Sequence, residues 1–306
     1  MDTLDAVRQA MARLDEGRMS RLLFRLSRDP IPFRKLNYTV PGHDRCTLYE
    51  ADDLIRRELT SYGYAVWDEA AQVQAARPGP GLHSAAPEPN DPWYTAYNLY
   101  AERRGSQRPE QIILLVSHKD SQSWVDSPGA HDNCGGTVAN IELARVLADY
   151  APLRTVRFLF CNEEHQPWTS VLAATQARAR GDDIIAVLNL DGLAGKGAAD
   201  SAAGARTNVT AFATPEGERL ADRMAEVVAA YGVELRQTKV RRPSVNDDDG
   251  SFVKAGYRAA VINIGSFPYA DPNYHQPGDV PELVDMANVR LAAQATLAAA
   301  LHLDRA

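Results

Sequence analysis

The segment QIILLVSHKD, residues 111–120, decides the predicted fold. Residues 111–117 are mostly apolar and rich in β-branched side chains, which is the pattern of a strand buried on both faces. This predicted strand runs directly into His118 and Asp120. Two side chains that can bind a metal ion therefore follow a buried strand.

Three further buried strands are predicted, and each precedes an acidic or imidazole side chain. They are TVRFLF at residues 155–160 before Glu163 and Glu164, IIAVLNL at 184–190 before Asp191, and AAVINI at 259–264 before the loop that carries His275. In open α/β sheets, functional sites lie beyond the carboxyl ends of the strands. We therefore expect these polar side chains to converge at one rim of the sheet.

Helical patterns separate the predicted strands. Apolar spacing predicts helices at residues 137–150, 216–231 and 286–303, and a helical lead-in over residues 1–66 with helices at 4–26 and 49–62 before a strand near 64–67. Strands and helices that alternate in this way imply a largely parallel sheet covered on both faces. The predicted fold class is α/β, with a three-layer α/β/α sandwich.

The chain is predicted to form one domain, residues 1–306. Its length is near the upper size for a single core, and no flexible linker divides it into two comparable halves. The proline-rich stretch at residues 76–91 is expected to cross the surface as a loop.

Charge and cysteine content restrict the partners and the compartment. The net charge of -7 argues against a nucleic-acid partner. No run of residues approaches transmembrane length, and the amphipathic N-terminal segment lacks an apolar secretory core, so no membrane partner is expected. Cys46, Cys134 and Cys161 give no paired disulfide framework. We therefore expect a cytoplasmic protein, whose oligomeric state is left open.

The first two candidate groups are the HKD segment and the loop SPGAHDNCGG at residues 127–136. His118 and Asp120 lie two apart on a strand end, which suits an imidazole ligand and a carboxylate that fixes its tautomer. Asp132 can bridge two ions with its two oxygens, or it can cap the following helix, as can Asn133. His131 is a competing ligand candidate.

The remaining candidates complete a two-metal hydrolase site. Adjacent carboxylates such as Glu163 and Glu164 repel each other unless a cation compensates, and one of them can bind metal while the other transfers protons. Asp191 suits a terminal ligand or a turn, and His275 lies in a loop. Mixed nitrogen and oxygen ligands suit zinc, with cobalt or manganese as substitutes. Cys134 is expected to pack in the turn and not to bind metal.

Five motifs occur in a characteristic order along the chain. They are HKD at 118–120, PGAHDNCGG at 128–136 leading into IELAR, NEE at 162–164, NLDG at 189–192 and YHQPGD at 274–279. This order, over roughly residues 20–300, closely resembles the co-catalytic zinc aminopeptidase family. That family includes bacterial leucyl-type aminopeptidases, plasma glutamate carboxypeptidase-like enzymes and, more distantly, glutaminyl cyclases.

The resemblance implies a mixed central sheet and a role for each candidate residue. His118 and Asp191 would hold one Zn²⁺, Glu164 and His275 would hold the other, Asp132 would bridge the two, Glu163 would be the general acid/base, and Asp120 would orient His118. Such an enzyme removes the N-terminal residue from a peptide or a small aminoacyl amide by hydroxide attack on the amide.

The substrate side departs from the family pattern. DDDGSF at residues 247–252 stands where many members have Ser-Asp-His-x-x-Phe, so that Asp249 replaces a histidine. An added carboxylate would favour a cationic group on the substrate, unless the run is a solvated acidic loop. Gln166-Pro167 replaces the usual Gly-Leu beside Trp168. Tyr274, Asp249 and Trp168 are the candidate substrate contacts.

Three alternatives to an aminopeptidase remain open. A glutaminyl cyclase-like acyltransferase would use the same scaffold with one zinc ion, although Tyr274 stands where those cyclases have a tryptophan and His118 keeps the two-metal pattern. A specialised small-molecule amidase would use the full site. A catalytically inactive binding protein is disfavoured because Glu163 and every ligand position are present.

Overall fold

The computed structural model describes residues 3–80 and 83–306. The strands are β1 (Trp67–Ala75), β2 (Arg77–Pro78), β3 (Ser84–Ala85), β4 (Trp93–Arg103), β5 (Arg108–His118), β6 (Arg154–Cys161), β7 (His165–Gln166), β8 (Asp183–Leu190), β9 (Thr207–Phe212), β10 (Arg236–Arg241) and β11 (Ala260–Ile264). The α-helices are α1 (Thr3–Ala12), α2 (Glu16–Ser27), α3 (Thr47–Ser61), α4 (Gly135–Val146), α5 (Thr169–Arg180), α6 (Ala198–Ala202), α7 (Pro215–Tyr231), α8 (Asp248–Lys254) and α9 (Met286–Arg305). A π-helical turn (Ala130–Cys134) precedes α4, and a 3-10 turn (Pro281–Leu283) precedes α9.

The described strands form a nine-stranded sheet in the order β10-β9-β11-β8-β5-β6-β4-β1-β7, and β2 pairs with β3 separately. The four central strands β11, β8, β5 and β6 are parallel. Strands β4 and β1 add to one side in antiparallel orientation, and β9 is antiparallel to β11. The prediction of a mixed, largely parallel sheet is therefore confirmed.

Strand β5 is central because it is buried on both faces. Ile113 and Leu115 belong to a core shared with α4 and α9, whereas Ile112 and Leu114 belong to a second core shared with α5 and α8. Successive side chains of a strand point to opposite faces of the sheet, so the two cores lie on its two sides. This arrangement is the predicted three-layer sandwich.

The N-terminal lead-in packs on one of these faces. Helices α1, α2 and α3 share the core of α4 and α9. The single helical pattern predicted over residues 4–26 is two helices, because Asp15 breaks the pattern and caps α2 by accepting a hydrogen bond from the Arg18 N–H at 2.9 Å. None of the described helices is long and apolar enough to cross a membrane.

The prediction of a strand near residues 64–67 was wrong in its bounds. The strand begins at Trp67 and continues to Ala75. Tyr64 lies before it and turns into the core, where its hydroxyl donates to the Ala144 carbonyl at 2.8 Å. Residues 76–91 form the expected connecting segment apart from the short β2–β3 pair, and residues 81 and 82 of it lie outside the described residues.

Candidate metal centre

The predicted site residues meet at the carboxyl rim of the parallel strands. His118 ends β5, Glu163 and Glu164 follow β6, and Asp191 follows β8 directly. His275 is carried by the loop after β11. His118, Asp132, Glu164 and Asp191 are at most 7% exposed. The neighbouring parallel strands β11, β8, β5 and β6 therefore bring these candidate residues together at one edge of the sheet.

Asp132 lies between the two histidines. Its Oδ1 is 3.1 Å from His118 Nε2, and its Oδ2 is 3.1 Å from His275 Nε2. His118 Nε2 is also 3.5 Å from Asp191 Oδ1, and His275 Nε2 is 3.3 Å from Glu164 Oε1. Two clusters of one imidazole and two carboxylates result, and Asp132 is common to both.

Asp132 does not cap helix α4, because Asn133 caps it instead. Asn133 Oδ1 accepts a hydrogen bond from the Gly136 N–H at 3.0 Å, while its Nδ2 donates to the Leu190 carbonyl at 2.9 Å. Gly136 is required there, since a Cβ on it would lie 2.1 Å from the Leu190 carbonyl oxygen. The loop and the end of β8 are thus held together next to Asp191.

The donor set fits a divalent metal. Burial opposes the charged form of His275, but hydrogen bonds to Asp132 and Glu164 raise its pKa to about 10. Burial and the neighbouring Asp132 carboxylate raise the pKa of Glu164. Buried carboxylates of this density require compensating positive charge. Imidazole nitrogens and carboxylate oxygens without a thiolate are ligands suited to zinc, so the residues present fit that ion.

Asp120 organises both strand ends. Its carboxylate accepts hydrogen bonds from the backbone N–H groups of Glu163 and Glu164, each at 2.9 Å, and lies 2.8 Å from His165 Nδ1. It also lies 3.4 Å from His118 Nδ1. Burial opposes ionisation, but the two histidines hold the pKa of Asp120 below its usual range. Asp120 therefore positions His118 and the glutamate pair together.

Glu163 is a partly exposed carboxylate beside the centre. Its Oε2 has no hydrogen-bond partner, and its carboxylate groups with His118 and Asp191, with one ligand atom of each within 4.8 Å of the others. Burial, followed by the charges of Asp247 and Asp248, raises its pKa well above the usual value. A raised pKa and an unpaired oxygen suit a proton-transfer group.

Three functional neighbours escaped the sequence prediction. Gln122 Nε2 donates to Asp132 Oδ2 at 3.1 Å and to Glu164 Oε1 at 2.8 Å. His165 bonds Asp120, as described above, and Asp279 accepts from the N–H of His131 at 2.7 Å and from the N–H of Asp132 at 3.1 Å. Asp279 closes the YHQPGD motif, but the motif assigned it no role, and no sequence signal singled out Gln122 or His165.

His131 does not join the centre. Its Nδ1 lies 2.8 Å from Asp279 and 3.3 Å from Asp271. Cys134 is buried and directs its sulfur toward the Leu23 carbonyl at 3.8 Å, which agrees with a packing role. The other two ligand candidates in this loop, His131 and Cys134, therefore point away from the centre.

The N-terminal lead-in, residues 1–66, holds the chain segments that carry His118, Asp120 and Asp132 in place. Arg34 is fully buried and donates to four carbonyls at 2.7 Å, those of Leu26, Lys119, Pro128 and Gly129. Lys119, between His118 and Asp120, is also fully buried, and its Nζ lies 2.6 Å from Asp52 Oδ1 on α3. Side chains outside the sheet thus fix the ends of the strand and loop that carry the site.

A cleft of about 440 Å³ opens over the centre. Its apolar and aromatic lining includes Trp124, Trp168, Ile262, Phe267, Tyr269 and Tyr274. Tyr274 stacks on His275 with ring centroids 3.7 Å apart. The structure thus places Tyr274 and Trp168, two of the three candidate substrate contacts, in the cleft wall.

Asp249, the third candidate, does not line the cleft. It is fully buried at the start of α8 and forms an ion pair with Arg242. Asp248 is fully buried as well, so the alternative of a solvated acidic loop does not hold for these two residues. Asp247 is the aspartate of this run that lines the cleft. The start of α8 turns the three side chains in different directions.

Comparisons with known proteins agree with this geometry. A profile described as Peptidase family M28 matches residues 98–300. A probable zinc metalloprotease of Pyrenophora tritici-repentis is 29% identical over 148 residues, which cover 46% of this chain and 30% of that relative. The match therefore spans less than a third of the relative's length.

Solved structures share the fold over nearly the whole chain. The LapA aminopeptidase of Legionella pneumophila superposes with a TM-score of 0.73 at 17% identity, covering 98% of this chain and 75% of that chain. The glutaminyl cyclase of Porphyromonas gingivalis superposes with a TM-score of 0.72 at 16% identity, covering 95% of this chain and 99% of that chain. At such identities the likeness establishes the fold alone.

Proposed function

Because this chain belongs to peptidase family M28, we propose that it is a metal-dependent aminopeptidase that removes the N-terminal residue from a peptide or a small aminoacyl amide. The observation that carries the proposal is the position of Asp132. Its two oxygens face two different imidazoles at the same distance of 3.1 Å. A carboxylate so placed is suited to bridge two metal ions.

The proposed centre would hold two zinc ions. His118 and Asp191 would hold one ion, Glu164 and His275 the other, and Asp132 both. When bound, zinc polarises a carbonyl group and makes a water molecule more acidic. Cobalt or manganese are expected substitutes, because the ligand set contains no thiolate.

The protein's own side chains would handle binding and proton transfer. Glu163 would take a proton from the attacking water and deliver it to the leaving amine, because its unpaired oxygen lies beside the ligand cluster. Asp120 would keep His118 in the tautomer whose Nε2 faces the centre. Tyr274 and Trp168 would contact the substrate from the cleft wall.

The proposal is tested by zinc content and by hydrolysis of a panel of aminoacyl amides. The variant Glu163→Gln keeps the shape of the side chain and removes the base, while Glu216→Gln in the first turn of α7 is a matched control outside the cleft lining. We expect about two zinc ions per chain in all three proteins. Hydrolysis should fall by about 10²–10⁴-fold in Glu163→Gln alone. A chelator should abolish turnover, and added zinc should restore it.

Other outcomes would assign a different activity. About one zinc ion with release of ammonia from an N-terminal glutaminyl peptide would indicate a glutaminyl cyclase-like acyltransferase. Turnover of small amides without turnover of peptides would indicate a specialised amidase. No turnover of any substrate by the zinc-loaded wild type would contradict an enzymatic function.

We also propose that the protein works in a reducing compartment such as the cytoplasm. This rests on its cysteines: Cys46, Cys134 and Cys161 are all unpaired, and the last two are buried in the core. Cysteines that form no disulfides are common in proteins of reducing compartments, where disulfides are rare.

A further inference from the structure

We propose that the segment QSW, residues 122–124, is a positioning element for one of the two metal ions alone, the ion proposed for Glu164 and His275. The QSW segment would thereby set how strongly this second ion is held, with little effect on the first. The inference rests on the proposed two-zinc function and concerns how that centre is filled. The segment lies between the motifs HKD and PGAHDNCGG, neither of which includes it.

Gln122 holds the two carboxylates that face the second ion. Its Nε2 donates to Glu164 Oε1 at 2.8 Å and to Asp132 Oδ2 at 3.1 Å. The same two oxygens lie 3.3 and 3.1 Å from His275 Nε2. A carboxylate oxygen can accept more than one interaction, so the amide can hold both oxygens while they face an ion. Gln122 is fully buried, and these hydrogen bonds are therefore shielded from solvent.

Ser123 restrains the backbone of the same glutamate. Its hydroxyl donates to the Glu164 carbonyl at 2.6 Å and accepts a hydrogen bond from the Ala76 N–H at 2.9 Å. Ser123 is buried, like the carbonyl group that it contacts. The hydroxyl therefore links the Glu164 backbone to the chain just after β1, and this link restrains the point from which the Glu164 side chain reaches the ion.

Trp124 packs on the histidine of the same ion. The Trp124 and His275 rings lie 5.0 Å apart between centroids at an angle of 86°, which is an edge-to-face contact. His275 is carried by a loop, and its backbone φ of 57° is uncommon for a residue with a side chain. Tyr274 stacks on the same ring. Ring contacts on two sides thus help to orient a ligand that no strand or helix carries.

The first ion, proposed for His118 and Asp191, is supported by other groups. Asp120 lies 3.4 Å from His118 Nδ1. Within the part of the chain that the structure describes, the QSW segment forms no hydrogen bond or ring contact with His118 or Asp191. Asp132 is shared by both ions, but Gln122 contacts its Oδ2, which faces His275, and not its Oδ1, which faces His118. The support is therefore one-sided.

The test measures zinc affinity by competition with a chelator, in two backgrounds that each keep one site. His118→Ala retains the proposed ligands of the second ion, and His275→Ala retains those of the first. Adding Gln122→Met removes the amide from a side chain of similar length. This change should weaken zinc binding about 10- to 100-fold in the His118→Ala background. In the His275→Ala background the affinity should change by less than about threefold.

A second measurement leaves all the proposed ligands in place. A stepwise zinc titration of Gln122→Met should show one ion bound as in the wild type and the other released at about 10- to 100-fold higher free zinc. Trp124→Leu should weaken the same step, whereas Trp124→Phe keeps a ring beside His275 and should weaken it less. Gln294→Met is the control, because this amide on α9 donates to the Met11 carbonyl, and both steps should stay unchanged.

The outcomes separate this role from the proposed function. An equal loss of zinc affinity in both backgrounds, or no loss in the His118→Ala background, would overturn the positioning role. If the zinc-loaded wild type still hydrolyses aminoacyl amides, the aminopeptidase function stands in either case. A wild type that binds fewer than two zinc ions would overturn both the two-zinc centre and the role of the QSW segment in it.

Discussion

Replacing Asp52 by asparagine should destabilise the protein strongly, because it leaves the buried ammonium group of Lys119 without a carboxylate partner. Lys119 Nζ is fully buried and lies 2.6 Å from Asp52 Oδ1, whose side chain is 5% exposed. Its other polar neighbour is Asn162 Oδ1 at 2.9 Å, which is neutral. Removing one member of a buried ion pair costs about 3–5 kcal/mol, and the near-complete burial of both groups leaves no screening to reduce that cost.

The assay is denaturant unfolding followed by tryptophan fluorescence. All proteins are measured at the same free zinc concentration, because ligand binding adds to the apparent stability. Asp53→Asn, on the same helix as Asp52, is the matched control: it breaks an exposed ion pair with Arg45 and should cost less than about 1 kcal/mol. Changing both partners, Lys119→Met with Asp52→Leu, should cost less than Asp52→Asn alone.

Two results would refute this reasoning. One is a free energy of unfolding for Asp52→Asn within about 1 kcal/mol of the wild type, which would mean that water reaches the ammonium. The other is a double variant as unstable as the single one, which would mean that packing, not an unpaired charge, determines the loss.

Two further predictions concern the loop of Asp132 and the start of α8. Asp279→Asn removes the charged acceptor of the His131 and Asp132 N–H groups. It should weaken zinc binding about 10- to 100-fold in a chelator competition, while the far-UV circular dichroism stays unchanged. Wild-type zinc affinity in this variant would contradict the role of Asp279. Burial raises the pKa of Asp248 to about 6, so its contribution to stability is largest below the unfolded value of 3.8 and is lost as pH rises through 6. Zinc-free Asp248→Asn should therefore be more stable than zinc-free wild type at pH 7.5, by up to about 3 kcal/mol in urea unfolding, and a difference that does not shrink toward pH 5 would contradict the assignment.

The central strands could be predicted from the sequence because they are buried on both faces. Burial on both faces produces continuous apolar runs, and β5, β6 and β8 were each located to within a few residues. Strand β4 carries the mixed sequence WYTAYNLYAER, and no uninterrupted apolar run marks it. It escaped prediction because its antiparallel position leaves it less completely enclosed.

The ligand cluster was predictable for a related reason: its members follow these same strands. The contacts that hold it in place were not predictable, since Gln122, His165 and Asp279 lie outside the predicted strands and reach the cluster only through the folded path of the chain. The acidic run shows the limit most clearly. Asp247 lies before α8 with a backbone φ of 109°, whereas Asp249 is within the helix, so the position where α8 begins decides that Asp247 lines the cleft while Asp249 pairs with Arg242.

The contacts of Arg34 bear on which part of this chain can fold by itself. The family profile begins at residue 98, yet the four carbonyls that Arg34 binds include three from Lys119, Pro128 and Gly129, inside the matched segment. A fragment cut at the profile's boundary would expose those carbonyls and leave the Lys119 ammonium without its carboxylate. The segment by which the family is recognised is therefore shorter than the segment that folds, and the chain before it is part of the template on which the metal loops take shape.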